Sequence, residues 1–99
     1  MEQSDQSGSH IHEFNAPYII RPSPNGNRYA FYCQVTGKEV FLTNPIQSKN
    51  SPDALRIAKM EARPYFNRCY RCGRWICDEA YNIDEMVCTQ CILDAHNNK

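Results

Sequence analysis

Two Cys-x-x-Cys pairs, separated by fifteen residues, constrain the fold of this 99-residue chain more than any other feature. The first pair is Cys69 and Cys72, and the second pair is Cys88 and Cys91. Two intervening residues allow one tight turn to direct both sulfurs at a single ion, and the longer segment can return the second pair to complete a tetrahedron. Gly73 follows the first pair, where such a turn commonly requires a positive φ. The spacing predicts one structural zinc ion, bound by these four thiolates.

The six cysteines are also sufficient for three disulfides, so the redox environment matters. The N-terminus is polar and acidic, and it lacks the apolar segment of a secretory signal peptide. No run of about eighteen apolar residues is present, so we expect no membrane partner. These features favour a cytoplasmic protein in a reducing compartment, with thiolates bound to metal.

A chain of this length buries only a modest core, and metal ligation can supply the missing stability. We therefore predict a small α+β zinc-binding domain with an N-terminal β-hairpin, one amphipathic helix, and a C-terminal zinc knuckle–hairpin–short helix. The predicted organisation is a flexible tail over 1–16 and a single domain over 17–99, which contains a hairpin (28–43), a helix (52–63) and a zinc module (66–96).

Local patterns support these elements. Aromatic and β-branched residues flank Thr36-Gly37, a connection suited to a hairpin turn, and a short strand is expected over 17–21. Ser51 as N-cap, followed by Pro52, predicts a helix start, and Pro64 should end that helix. In the zinc module, short strands over 74–77 and 85–87 are expected to pair, and a short helix is expected over 91–96.

Residues 33–91 resemble the zinc-ribbon/treble-clef group, and in particular its members with two metal sites. The resemblance rests on the Cys-x-x-Cys-Gly pattern, the later Cys-x-x-Cys, and the Cys-Gly-x-Trp-x-Cys-like run from Cys72 to Cys77. It implies two further knuckles, at Cys33-Gln-Val-Thr36-Gly37 and at Cys77-Asp-Glu-Ala80, in which Thr36 and Ala80 replace cysteines. If the knuckles alternate between sites, one site is complete and the other keeps only two thiols.

The number and type of metal ions therefore have alternatives. The residues that can supply further ligands are Cys33, Cys77, His10 and His12, which together would make a second zinc site. Cys77 can also replace one of the four named ligands, and Cys33 alone is most simply a small buried hydrophobe. Iron in a rubredoxin-like site is a further alternative, although Ile92 stands where that pattern has glycine.

A basic, partly aromatic run precedes and overlaps the first cysteine pair. The net charge of the chain is zero, but residues 21–75 carry +7, and the flanking segments are acidic. Basic residues interleaved with aromatic rings suit unpaired nucleic acid, whereas the local explanation is that arginines neutralise the thiolates and the rings form core. The candidate binding residues are Arg63, Arg68, Arg71, Arg74, Tyr70 and Trp75.

A four-cysteine shell leaves no open coordination position for water, and no catalytic ordering of side chains is evident, so we do not expect an enzyme or a small-molecule substrate. The predicted function is a non-catalytic structural-zinc module that acts as a protein-interaction adaptor. The alternative is an accessory nucleic-acid-binding zinc protein that uses the run 63–75.

Overall fold

The computed structural model describes residues 13–97, which begin with a three-stranded antiparallel sheet. Its strands are β1 (Tyr18–Arg21), β2 (Arg28–Tyr32) and β3 (Glu39–Leu42), in the order β1-β2-β3. The central residues of β2 are buried, whereas all four residues of β1 are exposed. The predicted hairpin forms, but β2 ends at Tyr32 because the chain turns around Cys33 instead of continuing as a strand.

One amphipathic helix, α1 (Ser51–Ala62), lies against this sheet and buries a stripe of small residues, Ala54, Ala58 and Ala62. The side chain of Asn50 accepts a hydrogen bond of 2.7 Å from the backbone N–H of Asp53. The N-cap is therefore Asn50, and the prediction of Ser51 was wrong by one residue, because the Asn50 oxygen satisfies the free N–H group that a Ser51 cap would serve. A 3-10 turn, Arg63–Tyr65, follows the helix and contains the predicted breaker Pro64.

The C-terminal part consists of short elements: β4 (Asn67–Arg68), β5 (Trp75–Ile76), a 3-10 turn (Asp78–Ala80), β6 (Tyr81–Asn82), β7 (Val87–Cys88) and α2 (Thr89–Asn97). β4 pairs with β5, and β6 pairs with β7. The predicted pairing of 74–77 with 85–87 was therefore wrong. The turn at Cys69 reverses the chain, and the Cys69 N–H donates to the Arg74 oxygen at 2.9 Å, which directs β5 onto β4.

The apolar core has two parts. The first is built from rings and small helix residues, and it includes Phe14 and Ala16, which are 4% and 2% exposed. Phe14 lies 5.6 Å from Phe31, 5.1 Å from Phe66 and 5.0 Å from Trp75, measured between ring centroids. The predicted tail boundary at residue 16 is thus corrected, because an aromatic side chain that fills the centre of the core anchors residues 14–16.

The second part of the core is built mostly from cysteines. Its buried members are Cys33, Cys69, Ile76, Ala80, Cys88 and Cys91. The small α+β class predicted from the sequence is confirmed, with β-hairpins, two helices and a four-cysteine cluster. No helix within residues 13–97 has the length and hydropathy needed to cross a membrane.

Candidate metal centre

The four predicted ligands come together at one point. The sulfurs of Cys69, Cys72, Cys88 and Cys91 all lie within 4.8 Å of one another. Two edges of this arrangement are 3.7 Å, from Cys69 to Cys91, and 3.8 Å, from Cys72 to Cys88. A tetrahedron with Zn–S bonds of about 2.3 Å has edges of about 3.8 Å. The cluster therefore has the size and donor set of a four-thiolate zinc site, and the part of the chain that the structure describes contains no other group of three or more such ligands.

Each cysteine pair is carried by a tight turn. We call residues 33–37 knuckle 1, residues 69–73 knuckle 2, residues 77–80 knuckle 3 and residues 88–91 knuckle 4. In knuckle 2, the Gly73 N–H donates to the Cys69 oxygen at 2.9 Å, and Gly73 has a φ of +81°. Knuckle 4 joins the end of β7, which carries Cys88, to the first turn of helix α2, which carries Cys91, and both sulfurs lie against those of knuckle 2.

Backbone N–H groups point at the sulfur of Cys69. It accepts hydrogen bonds from the N–H of Cys72 at 3.4 Å and of Cys88 at 3.2 Å. Without a metal, burial raises the pKa of Cys69, but these backbone N–H groups outweigh burial and lower that pKa to about 6. Burial and hydrogen bonds with the neighbouring thiols raise the pKa of Cys91 to about 12. The site thus stabilises the thiolate of Cys69 by itself, whereas a cation is needed to stabilise the thiolate of Cys91.

Two arginines lie beside the cluster. The guanidinium of Arg74 contacts the Cys72 sulfur at 3.8 Å, and the neighbouring thiolates raise the pKa of Arg74. The guanidinium of Arg68 lies across Gly73, since a Cβ atom at that glycine would stand 3.1 Å from the Arg68 Nη2 atom. Four thiolates around Zn²⁺ carry a net charge of −2, so these cations offset charge at the exposed side of the centre.

Replacing Gly73 by alanine should weaken zinc binding, because an L side chain at φ +81° is strained and would displace the Arg68 guanidinium. We expect the zinc affinity to fall by roughly tenfold, which corresponds to about 1.4 kcal/mol of left-handed strain. Competition with a chromophoric chelator measures this change. Gly37→Ala is the matched control, because Gly37 has a similar φ of +75°, has open space around its Cβ position, and lies in knuckle 1. Equal zinc affinity in the two variants would contradict the expectation.

Knuckle 1 repeats the backbone of knuckle 2. The Gly37 N–H donates to the Cys33 oxygen and the Cys33 N–H donates to the Lys38 oxygen, both at 2.9 Å, as in the equivalent bonds of knuckle 2. The Cys33 sulfur accepts from the N–H of Thr36 at 3.3 Å and of Cys77 at 3.4 Å. These bonds correspond to those that the Cys69 sulfur receives from Cys72 and Cys88. Knuckle 1 therefore faces knuckle 3, knuckle 2 faces knuckle 4, and the pairs alternate along the chain.

The knuckle 1–knuckle 3 pair is closed by hydrogen bonds. Cys33 is 2% exposed, and its sulfur accepts a third backbone hydrogen bond, from Val35 at 3.4 Å. Burial raises the pKa of Cys33, but hydrogen bonds from Thr36, Cys77 and Val35 outweigh it and lower that pKa to about 7. The Thr36 hydroxyl lies 3.9 Å from the Cys77 sulfur. The sulfur of Cys33 therefore accepts hydrogen bonds from three backbone N–H groups, in addition to the packing role that the sequence predicted.

Of the further ligands that the sequence named, Cys33 and Cys77 lie together, apart from the four-cysteine cluster. His10 and His12 lie outside the described residues. Sequence reasoning missed Gln34, which joins the two halves of the domain. Its N–H donates to the Trp75 oxygen at 3.0 Å, and its side-chain oxygen accepts from the Trp75 N–H at 2.7 Å. No periodic pattern marks such a residue, because a single loop side chain makes the contact.

The predicted binding residues are divided between surface and interior. Tyr70 is 79% exposed, Arg71 is exposed, and Trp75 is 4% exposed with the Arg63 guanidinium 5.3 Å from its ring centroid. Four of the six line one open groove of about 430 Å³, namely Arg63, Arg68, Tyr70 and Trp75. Arg74 points to the metal centre instead.

Comparison of this chain with protein-family models, with curated proteins and with solved structures finds no match.

Proposed function

We propose that this chain is a non-catalytic zinc module that binds a protein partner and acts as an adaptor in a reducing compartment. The observation that carries the proposal is the run of exposed apolar residues in β1, at the edge of the sheet. Tyr18, Ile19 and Ile20 are 38%, 54% and 45% exposed. Three consecutive large apolar side chains on an edge strand are a liability for a monomer and are typical of a binding surface.

Zinc fits this role because it would order the C-terminal part of the chain before a partner binds. The C-terminal elements are strands of two residues and a helix of nine residues, too short to be stable alone. Thiolate ligation orders them within the free protein, so association need not meet the cost of ordering those loops. A closed shell of four cysteines also leaves no coordination position for a substrate, which supports a binding function over catalysis.

The test is affinity purification of the tagged full chain from cells that express it, with and without nuclease. We expect a protein partner that survives nuclease treatment and is lost when Ile19 and Ile20 are both replaced by lysine. Both side chains are about half exposed, so the double variant should keep its zinc and its fold. Loss of all bound material on nuclease treatment would contradict the adaptor function.

A second candidate function is nucleic-acid binding, favoured by the groove that contains Arg63, Arg68 and Tyr70. An exposed ring beside guanidinium groups can stack on an unpaired base while the arginines contact phosphate. The affinity for a labelled single-stranded oligonucleotide, measured by fluorescence anisotropy, should then fall steeply between roughly 50 and 200 mM salt. Replacing Tyr70 by alanine should reduce the binding at both salt concentrations, whereas the Ile19 and Ile20 variant should retain it.

A further inference from the structure

The hydrogen-bonding pattern of β1 shows which of its backbone groups face outward. The Tyr32 N–H donates to the Pro17 oxygen at 2.9 Å, and the register pairs Ile19 with Ala30 and Arg21 with Arg28. In an antiparallel pair, directly bonded residues alternate with non-bonded ones. Ile19 and Arg21 therefore direct their N–H and C=O groups toward β2, whereas Tyr18 and Ile20 direct theirs away from the sheet.

The other side of the sheet agrees with this assignment. The Thr43 N–H donates to the Tyr29 oxygen at 3.0 Å, so Tyr29 faces β3 and its neighbours Arg28 and Ala30 face β1. Within the described residues, no backbone hydrogen bond reaches the outer groups of Tyr18 and Ile20. The sheet thus presents donors and acceptors at every second residue of β1, the arrangement that one further strand would satisfy.

An apolar groove runs beside this edge. It has a volume of about 320 Å³ and lies between the strand and the start of helix α1. The lining residues are Tyr18, Ile20, Tyr29, Ser51, Pro52 and Leu55, none of which is charged. The side chains of Tyr18 and Ile20 enter the groove, whereas Ile19 alternates to the opposite face of the sheet.

From these observations we propose that β1 binds an extended peptide segment of a partner protein by strand addition, with two apolar side chains, two residues apart, in this groove. The inference rests on the adaptor function and names its partner class. The backbone of the peptide would pair with Tyr18 and Ile20, and the uncharged lining selects apolar residues. Residues 1–12 do not have this chemistry, since their only apolar members are Met1 and Ile11, which are ten positions apart.

A second copy of the chain is a less suitable occupant. β1 has only four residues, so a ribbon of two such strands would bury little surface beyond the strands themselves. A stable dimer usually needs about 1,000 Å² or more. A short peptide segment does not need that area, because a transient adaptor contact can be weak.

The test begins with selection of a random peptide display library against the zinc-loaded full chain. We expect enriched peptides with apolar residues at alternate positions. Anisotropy of one labelled peptide should show affinity at least roughly tenfold weaker for Ile20→Lys, which places a charge in the groove, than for Ile19→Lys, which does not. Ile19 is the matched control because it is the same residue type, is similarly exposed, and lies on the opposite face.

Amide hydrogen exchange gives an independent result. The bound peptide should slow exchange at the amides of Tyr18 and Ile20, while the amides of Ile19 and Arg21, already bonded to β2, should change little.

Equal peptide affinity in the two lysine variants would overturn strand addition. Loss of peptide affinity in Tyr70→Ala instead would place the peptide elsewhere and leave the adaptor function intact. Self-association lost in Ile20→Lys, without peptide binding, would assign the edge to a second copy. Tighter peptide binding in Ile11→Asp would assign it to the chain's own N-terminal segment.

Discussion

Cys69→Ser should bind no zinc and should lose the folded structure of the C-terminal third of the chain. The sulfur of Cys69 is fully buried, lies 3.7 Å from the Cys91 sulfur, and accepts two backbone hydrogen bonds from other ligand residues. Structural zinc binding contributes about 10–16 kcal/mol at neutral pH, as much as the whole stability of a small domain. Removal of one thiolate from the centre should therefore leave too little free energy to order strands of two residues.

The composition of the second part of the core explains why the C-terminal third should keep little folded structure without metal. Four of its six buried residues are cysteines, and the other two are Ile76 and Ala80. Three of these four cysteines are predicted zinc ligands. Unligated thiols pack as small side chains, and the hydrophobic residues that pack against this cluster are only partly buried, so the cluster buries little apolar area without metal. Elemental analysis gives the zinc content, and emission of the single tryptophan, Trp75, should shift as this 4% exposed ring meets water.

The control is Cys77→Ser, which removes a thiol that lies 3.9 Å from the Thr36 hydroxyl of knuckle 1 and outside the four-cysteine cluster. We expect this variant to keep one zinc ion per chain and the emission of the native protein. If Cys69→Ser kept one zinc ion and Cys77→Ser lost it, Cys77 would be a ligand in place of Cys69. That result would contradict the assigned ligand set.

The four-cysteine cluster could be predicted from sequence because each of its knuckles is a local structure. Two residues between cysteines and a glycine after them determine the turn at Cys69, whatever the rest of the chain does. The partners of β5 and β7 could not be predicted in this way, because strands of two residues have no measurable periodicity. Long-range contacts decide them, such as the hydrogen bond from the Tyr70 N–H to the Met86 oxygen at 2.8 Å.

The anchoring of the N-terminal segment shows a second limit. Phe14 stands in a polar sequence, and a single apolar residue gives no signal of the element it joins. Its ring is buried because residues distant in sequence, Phe31, Phe66 and Trp75, surround the site it fills. The open edge of β1 was likewise hidden, since the strand could be predicted from its composition but its position in the sheet could not.

Replacing Thr36 and Ala80 together by cysteine should raise the zinc content from one to two ions per chain. Knuckle 1 has the same backbone hydrogen bonds as knuckle 2, and Thr36 occupies the place of Cys72 within it. Ala80 ends knuckle 3 as Cys91 ends knuckle 4, and it is 1% exposed, so a sulfur added there would point into the protein. With Cys33 and Cys77, the variant has the four thiolates that a closed zinc site requires.

The two single variants test whether the second zinc ion needs a complete set of four ligands or only additional cysteines. Thr36→Cys alone and Ala80→Cys alone each provide only three thiols, and we expect both to keep one tightly bound zinc ion after dialysis against a weak chelator. Adding Cys33→Ala to the double variant should remove the second ion and leave the first. The second ion should also raise the thermal midpoint, because metal bound only by the folded state stabilises that state. Two ions in the wild-type chain would show that Cys33 and Cys77 bind a second ion with other ligands, of which His10 and His12 are the candidates. One ion in the double variant would show that positions 36 and 80 are not placed for ligation. The first result would contradict the assignment of a single metal centre to the wild-type chain, and the second would contradict the expectation that this knuckle pair can be converted into a zinc site.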